Sequence, residues 1–379
     1  MGAAFTSLHS PRAAAAQASS RLPRANATWA YDPRDSSGNR QAGAFVDDIN
    51  QYNLVAGPDH VIREIYSYGG DMEMYCPNDD PSQCTGGDLY VFYSRTQPVS
   101  GQKNSNVSTY AYHQGLQADL LSAPPVIVPI IDGVVTGSGP LGGFNDLSRR
   151  NARHFADKVA HRVCNDPYAA GVQFDLEPFN VQINNAQYYF YRRIARDFAS
   201  SSTGCVDGNY PDGRIFAIFA GATAINPGTA GASRVSEILN RYHNGYMIDP
   251  LYDLASTAPG YRTSLSDYQH LVNAQTYNMS HWAEQLGIAY QFAIPGSAAF
   301  HEYETCTGSA CSGASEPADR QVSYLQADES AINATSARTD GLYLGAAVFS
   351  FTAGIHYGDS AFAPQVPTDA EDSYLGGAL

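Results

Sequence analysis

The segment GVQFDLEPF sets two carboxyl residues, Asp175 and Glu177, two positions apart inside a largely apolar run. Alternate side chains of a β-strand leave the same face, so both acids point the same way. Two carboxyls that close cannot both ionise freely. One keeps its proton to higher pH, and a carboxylic acid held neutral near pH 7 can protonate a leaving group. Gln173 precedes the pair on the same face. Asp132 closes another apolar run, PVIVPIIDG, where it could line a cleft or cap a helix. Tyr66, Tyr68, Tyr112 and Tyr290 fall at the ends of further runs, placed either to stack on flat rings or to fill the core. His113 and His356 have no metal-ligand spacing, so no metal and no cofactor is expected. A G-x-S-x-G elbow is absent, which argues against a serine hydrolase.

These acids need a scaffold that ends its strands in one place. Eight short β-rich apolar runs lie at 60–70, 107–114, 125–133, 170–179, 214–222, 245–255, 286–296 and 343–354. Several are nearly continuous in Val, Ile, Phe, Tyr and Ala, as strands buried on both faces must be. Amphipathic stretches at 146–163, 186–201 and 264–285 separate them, the first opening on Asp146 and the last on Ser264 or Ser266 as caps. Strand and helix in alternation imply a parallel sheet, and eight units imply closure into a single-domain (β/α)8 barrel. An open doubly wound sheet is the rival, but no G-x-G-x-x-G turn follows the first run. The barrel is expected over 41–360, after a flexible arm at 1–40 rich in Ala, Ser and Arg and before a polar tail at 361–379. DLYVFYSR (88–95) reads as part of a hairpin in the first loop.

Six cysteines test that layout. Cys76–Cys84 and Cys306–Cys311 enclose short polar loops after the first and seventh runs, and Cys164 and Cys205 precede adjacent strands at the opposite barrel face. Three disulfides on that pattern place the chain in an oxidising compartment, so a secreted, extracellular protein is expected. Over 379 residues the net charge is −15, which excludes nucleic acid as a partner. No apolar run reaches a membrane span. A monomer acting on a neutral or cationic polymer is the expectation, and 26 Tyr supply flat surface for sugar rings.

A fourth strand ending in D-x-E resembles glycoside hydrolase family 18, the chitinases and endo-β-N-acetylglucosaminidases, whose strand four carries D-x-x-D-x-D-x-E. Asp175 and Glu177 match the last two acids, while Ala170 and Gln173 replace the earlier ones. The sixth strand of that family ends Met-x-Tyr-Asp; here PLYDLA matches it in Tyr252 and Asp253, with Pro250 in place of Met. The family's strand-eight Trp is replaced by Phe349 or Phe351. The resemblance implies substrate-assisted hydrolysis of an N-acetylhexosamine-containing oligo- or polysaccharide. In it Glu177 is the acid, Asp175 orients the acetamido group, and Tyr252 hydrogen-bonds that group beside Asp253. Gln173 could hydrogen-bond Asp175 without sharing its proton. Glu177-Pro178 also resembles the Asn-Glu-Pro strand end of the two-glutamate barrel clan, whose nucleophile would then be Glu302 or Glu304. A sugar-binding barrel without turnover is the remaining alternative.

Overall fold

The computed structural model describes residues 22–30, 42–58, 60–74, 89–91, 113–117, 126–134, 144–258, 261–296 and 318–349. Eight parallel strands form the sheet: β1 (Asn26–Ala30), β2 (Ile62–Met74), β3 (Val126–Val134), β4 (Gly171–Glu177), β5 (Ile215–Phe219), β6 (Gly245–Pro250), β7 (Tyr290–Pro295) and β8 (Tyr343–Phe349). Each pairs with the next, and β8 pairs with β1, so the sheet closes into a (β/α)8 barrel. Around it lie α1 (Ala42–Val55), α2 (Arg149–Cys164), α3 (Asn185–Phe198), α4 (Ala230–Asn240), α5 (Leu265–Leu286), α6 (Ala318–Asn333) and α7 (Ala337–Asp340). Among the described residues no helix is long and apolar enough to cross a membrane.

Two expectations about the strands are corrected. Residues 26–30, assigned to the arm, are β1, with all five residues buried. Their polar side chains serve the closure: the Thr28 hydroxyl donates to the Val348 carbonyl, and the Asn26 side-chain oxygen accepts from the Ala346 amide. Gly345 makes room for that contact, having φ 140° and leaving a Cβ only 2.6 Å from Asn26 Oδ1. Run 60–70 is therefore the second strand. Run 107–114 is not a strand where it is described, because 113–117, which lies between β2 and β3 in sequence, is helical. His113 anchors that helix, its two ring nitrogens bonded to Ser67 of β2 and to Asp166 before β4. The short strand Leu89–Val91 pairs antiparallel with the end of β2, as a hairpin there requires.

Strand β4 shows why the acids are presented. Val172, Phe174 and Leu176 turn outward into the helix layer, where Phe174 meets Phe190 and Tyr191 of α3 at ring distances of 5.3 and 5.5 Å. The alternate set faces the barrel axis. α2 is held against the same layer by Ala152, Phe155, Ala156, Val159 and Val163, spaced three to four residues apart. Its N-cap is Ser148, not Asp146, which ends a short 3-10 turn; the cap of α5 is Ser264. Cys164 at the end of α2 is bonded to Cys205 ahead of β5, with Cα atoms 4.8 Å apart. Cys76, Cys84, Cys306, Cys311 and the 361–379 tail lie outside the described residues.

Candidate active site

The inward polar side chains of β4 rise from the barrel core to its mouth in three steps. Gln173 is buried, Asp175 is half-buried and Glu177 is exposed. At the level of Asp175 the backbone register runs Asp71 on β2, Asp132 on β3 and Asp175 on β4, so three acidic residues share one row of the sheet. Beyond them a cavity of about 470 Å³ opens over the ends of β4, β5 and β6. Glu177, Phe219, Gly221, Pro250 and Asp253 line it, with Asn180 and Gln182 from the β4–α3 loop.

The electrostatics follow from that placement. Burial, then the neighbouring charges of Glu177 and Asp253, pushes the Asp175 carboxyl up to about 7. Glu177 is raised too, first by partial burial and then by Asp253. Asp175 Oδ1 is buried and makes no hydrogen bond among the described residues. Among the described residues, no Lys or Arg lines the cavity. The site can thus keep a proton near neutrality.

Tyr252 and Asp253 start the 3-10 turn that follows β6. The Tyr252 ring stacks on Phe349 of β8 at 4.1 Å and 9°. Below them Trp29 lies 5.5 Å from Phe349 and 4.8 Å from Tyr66, forming an aromatic floor. Trp29 falls within the stretch expected to be an arm, where the sequence signals it only as one Trp in a short NATWA run.

Several expected contacts fall elsewhere. Among the described residues Gln173 makes no hydrogen bond to Asp175; its side-chain oxygen accepts from Trp29 Nε1 at 2.9 Å, beneath the site. Tyr66 is wholly buried, so it stacks on no ligand. Its hydroxyl joins Tyr246 and Gln291 in a network around Glu64, where Tyr246 donates to Glu64 at 2.8 Å and Gln291 at 2.7 Å. Tyr290 is buried at the opposite end of β7. Asp132 holds its register position in β3, but its side chain is not described, nor is that of Tyr68. Tyr112, Phe351, Glu302, Glu304 and His356 lie outside the described residues. A buried acid that sequence reasoning missed is Asp249 on the outer face of β6, bonded to Gln275 of α5 at 2.6 Å and pushed up to about 8 by burial. Its run, GYMIDPLYDLA, offered only the more obvious Asp253.

No family model matches the chain, and no curated protein matches it. Among solved structures it is similar to a GH18 chitinase from Pseudoalteromonas aurantia, at 13% identity and a TM-score of 0.47 over 88% of this chain and 96% of that one. It is likewise similar to an immunomodulatory active chitinase from Trichuris suis, at 13% identity and 0.49 over 86% and 92%. Cel5A (EG2) from Hypocrea jecorina resembles it at 13% and 0.47 over 92% and 93%. Likeness of this size assigns no substrate and no residue role; the barrel rests on its own strand order.

Proposed function

We propose that the chain is a secreted glycoside hydrolase that cleaves β-linked N-acetylhexosamine glycans with retention, the substrate's acetamido group acting as nucleophile. The observation that carries this reading is the Asp175–Glu177 pair on one strand face at the barrel mouth, both acids raised by burial and by the charge of Asp253. Glu177, exposed to the cavity, donates its proton to the glycosidic oxygen as that bond breaks. The acetamido oxygen attacks the anomeric carbon, and the Asp175 carboxylate accepts a hydrogen bond from the amide N–H. Tyr252 bonds the acetamido group from the β6 side. Water then opens the oxazolinium, its proton passing to Glu177, so acid and base are one residue.

Asp175 sits two residues from Glu177 on the same strand, too near to attack from the opposite face of a sugar ring; a retaining nucleophile stands roughly 5 Å across it. The described strand β7 carries no carboxyl. The Cys164–Cys205 disulfide supports an oxidising compartment. The test pairs two reagents. A thiazoline mimic of the oxazolinium is expected to inhibit competitively, and a fluorosugar trapping reagent to leave the intact mass unchanged. A covalent adduct on Glu302 or Glu304, with no thiazoline inhibition, would establish the two-carboxylate mechanism instead.

A further inference from the structure

The outer flank of α2 and α3 is basic in a chain of net charge −15, and the two helices hold eight of its 22 Lys and Arg. Arg149 and Arg150 are exposed in the first turn of α2, which contains no acid. Helix physics disfavours them there, since the N-terminal end of the macrodipole is positive. Arg149 and Arg153, four residues apart, repel each other. The two guanidiniums share one ring, lying 4.6 and 5.4 Å from the centre of Tyr189. On the next ring, Tyr188, Arg192 sits at 5.3 Å. Arg192, Arg193 and Arg196 have acid partners in Glu237, Asp157 and Asp197. Arg149, Arg150 and Arg153 have none among the described residues. Desolvation, then Arg149, Arg192 and Arg193, holds the Arg153 guanidinium below its usual range, which marks the surplus positive charge.

We infer that this arginine–tyrosine flank binds a sulfated polysaccharide, separately from the catalytic cleft. The aromatic rings fix the guanidiniums with little freedom left to lose, so that anionic groups meet a preformed row. Arg149 and Arg153 stand about 6 Å apart along the helix axis, a spacing for successive groups on an extended polymer. Duplex DNA fits less well, because its dense charge would also face the acidic remainder of the surface. The flank adjoins the cleft: Arg234 covers the Tyr188 ring at 4.8 Å and donates to the carbonyl of Val181, a cavity-lining residue. A polymer held here would keep the cleft against a mixed, partly anionic matrix.

The full chain is titrated with dextran sulfate, alongside unsulfated dextran, duplex DNA and phosphatidylserine vesicles. Saturable, salt-sensitive binding to dextran sulfate is expected, with no binding to dextran. The double variant Arg149→Gln, Arg153→Gln is expected to lose roughly tenfold in affinity, and its slope of log affinity on log salt to fall by about one per arginine. Arg162→Gln, in the last turn of the same helix, should bind as the unmodified chain does. Circular dichroism checks that each variant is folded, so the outcome does not depend on what the cleft hydrolyses. Equal affinity of the double variant, binding to dextran, or DNA or vesicle binding as tight as that of dextran sulfate overturns the proposal.

Discussion

Asp253 acts on the β4 acids through charge, since it is named among the causes that raise both Asp175 and Glu177. Under the proposed mechanism the productive form of the pair holds one proton, so the rate against pH is a bell whose limbs belong to the pair. Replacing Asp253 by Asn removes a negative charge and lowers both raised values. Both limbs of the kcat/KM profile should therefore move to lower pH, with the alkaline limb showing it most plainly because there Glu177 loses its proton. A profile that keeps its limbs while falling in height would leave Asp253 only a binding role. The acid itself is tested by Glu177→Gln, a nearly isosteric change at an exposed position. Turnover should fall by about 10²–10⁴ with oligosaccharide binding and melting temperature retained. Initial rates, binding calorimetry and a thermal melt on one preparation check all three.

At the scale of elements, β4 and β1 show what a sequence exposes and what it hides. β4 was legible because its apolar run is flanked by turns and its acids recur at period two, which fixes the face. Period two does not fix depth: Gln173, Asp175 and Glu177 share a face, yet the first is sealed under Trp29 and the last lies open. The same limit hid the burial of Tyr66. β1 was not legible, because five residues with Asn26 and Thr28 among them carry no apolar run. Those two side chains belong to the seam with β8, a contact more than 300 residues away in sequence. Conversely, VSTYAYHQ has strand-like composition, but its described end is helical, held by the buried His113 bonds. Trp29 makes this testable. Trp29→Phe keeps most of the ring but leaves the buried Gln173 oxygen without its donor, which costs about 1–3 kcal/mol. Urea melts should show that loss, and restoration by the further change Gln173→Leu would tie it to the bond and not to ring volume. Removing residues 1–30 altogether should abolish cooperative unfolding, because β2 and β8 would lose the strand between them.

Several buried carboxyls of the molecule hold their protons more tightly than free acids do, and this gives its stability a sign with pH. Burial pushes Glu64 and Asp175 up to about 7 and Asp249 to about 8, from ordinary values near 4. An acid whose folded pKa lies above its unfolded value binds its proton more tightly in the fold. Its contribution is complete below about pH 4 and is lost as pH rises through the folded value, so between about 4 and 8 stability falls. The net charge of −15 at pH 7 pushes the same way, since self-repulsion grows as carboxyls ionise. Salt separates the two causes: it screens charges on the surface and leaves buried groups nearly untouched. Melting temperature measured from pH 5 to pH 8 should therefore fall, and at high salt a part of the fall should persist. Asp249→Asn assigns that part, because an amide can still accept from Gln275 and has no proton to lose. The variant should resemble the parent less and less as pH rises, holding its melting temperature at pH 8 while the parent drops. Parallel curves for variant and parent at high salt would place the pH dependence on the surface and remove Asp249 from it.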